Sequence, residues 1–301
     1  MIKSNTFFAL VLSLLVFNTY GQEVSATWNH KIEVSSGVED VNGESLYAYS
    51  TIVFDAKEGE VQHALIKKFK GQTDEKVTSK KVLRAMKVSL PSINKDSIDM
   101  VANTVTIEES NHVKVILSFE SDGKVVSPTE FPEADEAARE VMYNLGVVLN
   151  QSVVTGQIGK ARQDKSTLEN KHLAFTGQRD GLEQSIASSD ERLTKLQGEN
   201  DITAAKLTEE RLKIATLKVA VDAATSSTED LDIYDAAQKG VSELDAELLK
   251  NEQALESTKE KTELTQRGLH EKEKEIEEIS AQIKRKENFI VRLKAKYDEI
   301  K

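Results

Sequence analysis

The chain has 301 residues, 30% of them charged and 5% aromatic, with 3 prolines, no cysteine and a formal net charge of -11. The missing cysteine excludes disulfides, thiolate metal sites and a thiol nucleophile, and an acidic chain with no basic patch interleaved with aromatics argues against nucleic-acid binding. Low aromatic content with many Glu, Lys and Leu is a coiled-coil composition, and the core-forming aromatics are concentrated before residue 150, so one modest globular domain with a helical extension fits better than two globular domains.

Residues 1–21 read MIKSNTFFALVLSLLVFNTYG. Lys3 supplies a positive end, residues 7–17 are apolar except for Ser13, and Thr19-Tyr20-Gly21 offers small residues for cleavage. The pattern predicts a cleavable secretory signal ending near Gly21/Gln22. Its apolar core is too short for a membrane helix, which needs about 20 residues, and no later segment of the sequence is long and apolar enough to span a bilayer. The expected location is exported, periplasmic or extracellular.

Residues 22–126 predict a small α+β domain. Residues 28–34 suggest a short strand, 37–45 a polar loop, and 46–54 (LYAYSTIVF) an interior strand. Val61, Leu65 and Phe69 have helical spacing over 58–70. Strands are expected at 82–90, ended by Pro91, and at 98–107. After a turn at 108–111, Val113, Val115, Leu117 and Phe119 alternate strictly, as a half-buried strand does. The last three strands are close enough in sequence for an antiparallel meander, giving the order β(β)αβββ. Residues 127–132 (SPTEFP) form a linker. A helix from Glu133 carries acids in its first turn, which suits its dipole, and Val141, Leu145, Val148 and Leu149 make a stripe that would cover the sheet. The linker and this closing helix, 127–156, belong to the head.

From residue 157 to 301 the pattern becomes heptad. In 158–224 the inward positions include Ile158, Ala161, Leu168, Phe175, Leu182, Ile186, Leu193, Leu196, Leu207, Ile214, Leu217 and Val221. In 234–300 they include Tyr234, Ala237, Val241, Leu244, Leu248, Leu255, Leu269, Ile276, Ile279, Ile283, Ile290, Leu293, Tyr297 and Ile300. A straight helix drifts off a seven-residue repeat because its own period is about 3.6, so a repeat held this long implies a left-handed supercoil. At the helical rise each run is about 100 Å long. Equal runs around a polar turn near 225–233 (TSSTEDLDI) predict an antiparallel coiled-coil hairpin in which paired residue numbers total roughly 458, setting a positions against d positions. Pairing with another chain, as a homo-oligomer, is the rival architecture, since heptads report a seam and not its partner. Polar seam residues such as His172, Arg179, Asn200 and Thr203 either snorkel to solvent or fix the register. Gly156 and Gly159 stand where the seam takes over, either as a hinge or inside one continuous helix.

The layout of signal peptide, small α+β domain with one basic helix, closing helix and charged coiled coil resembles a group of secreted bacterial proteins. The phrase LPSINKDSIDMVA (residues 90–102) shares in that resemblance. It spans most of the chain, rests on no sharp motif, and carries over no functional residue.

No catalytic, cofactor-binding or metal residue is singled out. The histidines are His30, His63, His112, His172 and His270, with no helix-borne pair of metal-ligand spacing. Trp28-x-His30 is a weak signal. Residues 39–44 (EDVNGE) are the nearest approach to a calcium loop, yet their spacing is that of a turn. The acids of the helical runs read as a solvated face with i,i+4 lysine partners. One basic cluster, Lys67, Lys68, Lys70, Lys76, Lys80, Lys81 and Arg84, could meet an anionic surface or compensate a helix C-terminus. The expected function is a non-catalytic scaffold or interaction protein that uses the hairpin as a spacer or docking arm for protein partners. The alternative is a periplasmic holdase-type chaperone, a class that also joins a small β-containing body to helical hairpins but whose arms are basic where these are acidic.

Overall fold

The computed structural model describes residues 26–41, 43–79, 82–222 and 228–301. The expected signal at 1–21, Asn42 of the turn, Lys80 and Lys81 of the basic cluster, and residues 225–227 of the expected hairpin turn lie outside these. The order is β1 (Ser35–Val41), β2 (Glu44–Val53), α1 (Glu58–Lys70), β3 (Thr78–Ser79), β4 (Leu83–Val88), β5 (Ile98–Ile107), β6 (His112–Ser121), β7 (Lys124–Val125), α2 (Pro132–Asp222) and α3 (Thr228–Glu299). The contacts form two compact units, one of residues 1–164 with 286–301 and one of residues 165–285. The first thus extends past the expected boundary at 156–157 and takes in the end of α3.

In the first unit the strands make one antiparallel sheet in the order β1-β2-β6-β5-β4-β3, with β7 on β6. The meander β4-β5-β6 is as expected. Its inner face follows from alternation: Ile98, Met100 and Ala102 of β5 and Val113, Val115, Leu117 and Phe119 of β6 are buried against Val61, Leu65 and Phe69 of α1 and Ala138, Met142, Leu145 and Leu149 of α2. Val41, Ala48 and Ile116 form a smaller cluster of their own. Tyr49 fixes the start of α2: its hydroxyl donates to Asp135 (2.8 Å), which also holds Arg139 (3.0 Å). Burial, then the Asp135 bond, pushes the Tyr49 phenol far above its ordinary pKa.

One strand was misplaced by sequence. Residues 28–34 are not a strand; β1 occupies 35–41, within the expected polar loop. SSGVEDV has little apolar alternation, and pairing with β2 makes it a strand, from Ser35↔Ser50 to Val41↔Glu44. Gly43 turns the hairpin at φ +81, and Asp40 Oδ1 accepts its N–H at 2.6 Å. Trp28 and Ile32 instead pack with Val154, Ala161, Ile290, Leu293 and Ile300, joining the two helix ends of this unit. There Lys286 Nζ meets Asp164 Oδ2 at 2.8 Å, and Gln151 Nε2 donates to the Ile300 carbonyl at 3.2 Å.

α2 runs unbroken through Gly156 and Gly159, so these are not a hinge in the backbone. α3 begins at Thr228, so 228–233 are helical where a turn was expected. In the second unit the less exposed residues recur along α2 at Leu182, Ile186, Ser189, Leu193, Leu196, Asn200, Thr203, Leu207, Glu210, Ile214, Leu217 and Val221. Along α3 they recur at Tyr234, Ala237, Val241, Leu244, Leu248, Asn251, Leu255, Thr258, Thr262, Thr265, Leu269, Lys272, Ile276, Ile279 and Ile283. These are the heptad positions of the sequence. Contacts from one helix to the other include Arg211 to Asp245 (2.9 Å), Lys272 Nζ over the Phe175 ring (4.2 Å), and Leu182 against Gly268. Their paired numbers total 456, 447 and 450, scattered between two and eleven short of the expected 458 with a mean near 451. A shift of seven leaves the same position types facing, so the pattern that identifies the seam cannot select between these registers.

Candidate functional site

The structure gathers four titratable groups, from four separate stretches, at one place in the first unit. The geometry starts with Gly146, whose missing side chain lets α2 approach β2. A Cβ there would lie 3.0 Å from both Ile32 Cγ2 and Thr51 Oγ1. One turn on, the buried Asn150 grips the end of β2. Its Oδ1 accepts the Phe54 N–H at 2.9 Å, and its Nδ2 donates to the carbonyls of Ile52 (3.2 Å) and Gly146 (2.8 Å). The strand cannot continue past this clamp, and Asp55 turns away at φ +52. Asp and Asn tolerate this left-handed region better than most residues.

Asp55 is then held from every side. Its N–H donates to His112 Nδ1 (3.3 Å), and Gln157 Nε2 of α2 donates to its carbonyl (3.5 Å). The neighbouring Ala56 N–H donates to the Asn111 carbonyl (3.0 Å). Lys296 of α3 places Nζ 2.9 Å from Asp55 Oδ2; its side chain is 2% exposed, against 23% for Asp55. Gln157 Oε1 is buried with no hydrogen-bond partner.

Four rings close the site. His30 stacks flat on Phe54 (centroids 4.0 Å, 8°) and meets His112 edge-on (5.7 Å, 77°). Trp28 stands edge-on to both His30 (5.4 Å) and Phe54 (5.5 Å). Burial lowers the His30 pKa from its ordinary 6.5; the Asp55 carboxylate opposes this, while His112 and Lys296 add to it. His30 therefore stands neutral at neutral pH. Among the described residues no group of three His, Cys, Asp or Glu is placed to hold a metal ion. The chemistry open to this arrangement is proton exchange beside a buried ion pair.

Two of the five histidines thus come together. His63 is exposed on α1, His172 lies on α2, and His270 is exposed 4.0 Å from Glu273. The described members of the basic cluster fall on separate elements. Lys67, Lys68 and Lys70 end α1, while Arg84 is exposed on β4 between the buried Leu83 and Ala85, hence on the sheet face away from the core. Lys68 lines a cleft of about 160 Å³ with Phe69, Gln72, Leu90, Val141, Asn144, Leu145 and Val148. Of the 39–44 stretch, residues 39–41 end β1 and Glu44 begins β2, with Glu39 paired to Lys114 at 2.6 Å. Sequence reasoning missed Asp55, Asn150, Gln157 and Lys296. The one usable signal was Trp28-x-His30, whose spacing sets both rings on the same side of an extended segment.

Comparison with known proteins finds no matching family model, no matching curated protein and no matching solved structure.

Proposed function

We propose that this chain is an exported, non-catalytic scaffold or interaction protein, and that α2 and α3 form an antiparallel coiled-coil hairpin acting as a spacer or docking arm. The observation that carries the reading is the agreement between heptad position and low exposure along both helices, with helix-to-helix contacts whose residue numbers run in opposite directions. The face away from that seam is charged and solvated, interrupted by exposed apolar residues such as Leu173, Leu212, Leu249 and Leu264. Among the described residues no helix is long and apolar enough to cross a membrane.

The pairing has its own test, made clean by the absence of cysteine. A total near 451 sets Asn200, whose Oδ1 is buried without a partner, opposite Asn251, and facing asparagines are a device for fixing register at some cost in stability. Asn200→Cys with Asn251→Cys is expected to close a disulfide within one chain on mild oxidation, because facing seam positions meet the Cα separation a disulfide needs. Asn200→Cys with Thr258→Cys, the pair for the 458 register, is expected to stay reduced. Covalent dimers in place of the intrachain bond would mean that the helices pair between chains.

The functional reading is tested by placing a photo-crosslinking residue at Leu173, Leu212, Leu249 or Leu264 of the full chain in intact cells. A scaffold gives one or a few discrete protein adducts. A holdase gives a broad smear of clients and suppresses aggregation of a model client in solution at stoichiometric amounts. No adduct from any of the four positions would overturn the docking-arm reading.

A further inference from the structure

Among the described residues Lys296 is the one buried charged side chain. It sits in the last turn of α3 and pairs with Asp55. Two imidazoles border that pair. We propose that His30 makes the seating of the last turns of α3 on the head pH-sensitive, held at neutral pH and loosened in mildly acidic surroundings. The inference concerns the first unit alone and stands whether or not the docking-arm reading does.

Two physical consequences of His30 protonation act in the same direction. His112 Nδ1 accepts the Asp55 N–H and so holds its ring beside His30, and the charges add. His30 is faced by Asp55 from the loop after β2, by His112 from the start of β6 and by Lys296 from α3, with the neutral Gln157 reaching Asp55 from α2. Protonating His30 sets a second cation beside Lys296, where the neutral site has one. Finally, His30 lies flat on Phe54 at 4.0 Å and is partly withdrawn from water, which penalises its charged form.

The direction follows from linkage. The seated site holds His30 below its ordinary 6.5, whereas an opened site returns it to that value. Above 6.5 both forms are neutral and the seating is at full strength. As the pH falls below 6.5 the opened form takes up the proton first, and the seating weakens until the lowered pKa is passed. Ile290, Leu293 and Ile300 remain in an apolar cluster with Ile32, Val154 and Ala161. The response is therefore a loosening of the last turns, not departure of the whole helix.

Hydrogen exchange at the amides of residues 293–300 tests this in the full exported chain, at about pH 7.5 and about pH 5.5, with intrinsic rates corrected, since histidine titrates between them. Opening at about pH 5.5 is expected to exceed that at about pH 7.5 by no more than about tenfold, the limit set by the single unit between the ordinary 6.5 of the opened His30 and the lower pH. Trp28, the one tryptophan of the chain, stands 5.4 Å from His30 and reports its protonation by fluorescence quenching over the same range. His30→Gln with His112→Gln is expected to abolish both responses. Equal protection of residues 293–300 at the two pH values overturns the proposal, and that measurement needs no variant. A loosening that persists in the double glutamine variant also overturns it, by assigning the response to another group.

Discussion

Replacing Gly156, Gly159, Gly177, Gly181, Gly198 and Gly240 together with alanine is expected to stabilise the helices by about 3–6 kcal/mol, because each glycine inside a helix costs roughly 0.5–1 kcal/mol relative to alanine. A methyl group at any of these positions meets nothing within 4 Å, so no packing penalty offsets the gain. Gly177, Gly181, Gly198 and Gly240 belong to the second unit, and these four are expected to contribute about 2–4 kcal/mol. The check is the midpoint of thermal or urea unfolding followed by helical ellipticity. Gly146→Ala has the opposite expected sign. Its methyl group would reach 3.0 Å from Ile32 Cγ2 and Thr51 Oγ1. Thr51 cannot move freely, because its hydroxyl donates to the Glu33 carbonyl at 2.9 Å. Overpacking of this kind costs about 1–3 kcal/mol. A neutral Gly146→Ala would mean that residues 28–34 do not hold their place on α2. An unchanged midpoint for the six-alanine chain would mean that these stretches are not continuous helix in solution. If the six-alanine chain is more stable but takes fewer crosslinks from partners, the glycines serve the arm by leaving it supple.

The same contrast between local pattern and close approach explains what could be read from the sequence. α1, β5 and the β4-β5-β6 meander were legible because each shows its own period: Val61, Leu65 and Phe69 along a helix, and Val113, Val115, Leu117 and Phe119 along a strand. The seam lines of α2 and α3 were legible for the same reason. What failed was information that no local period carries. The heptad pattern cannot select a register, since a seven-residue shift reproduces the same facing set. β1 was missed because Glu39 and Asp40 break its pattern, and its strand character comes from pairing with β2. The site was illegible for a related reason. His30, Asp55, His112 and Lys296 come from distant parts of the chain, and Lys296 lies between Leu293 and Tyr297, where a heptad reading sets a lysine in solvent. Asp55, which follows the strand end held by Asn150, meets it there at 2.9 Å. Gly146, which makes that approach feasible, looks in sequence like any other helical glycine.

Asp55→Asn is expected to destabilise the first unit far more than Lys296→Met, although the two remove the same ion pair. The asymmetry lies in burial: the Lys296 side chain is 2% exposed and that of Asp55 is 23% exposed. Asp55→Asn takes the carboxylate from an ammonium group that water hardly reaches, and losing one partner of a buried pair costs about 3–5 kcal/mol. Lys296→Met leaves a carboxylate that water can reach. It also places an apolar chain of similar length beside Leu293 and Ile300, so its cost is expected to stay within about 1.5 kcal/mol. Replacing both is expected to recover most of the Asp55→Asn loss, because a buried ion pair and an apolar replacement of similar volume are often close in stability. Urea unfolding of the four proteins gives the coupling energy directly. Equal losses from the two single changes would show that the ammonium is reached by solvent and that the pair is an ordinary surface bridge, worth about 0–1 kcal/mol. The double variant also separates two roles of the site. If the pair serves stability alone, Asp55→Asn with Lys296→Met behaves as the wild type at every pH. If the charges of the pair are what the imidazole acts upon, the double variant loosens less than the wild type at residues 293–300 in mild acid.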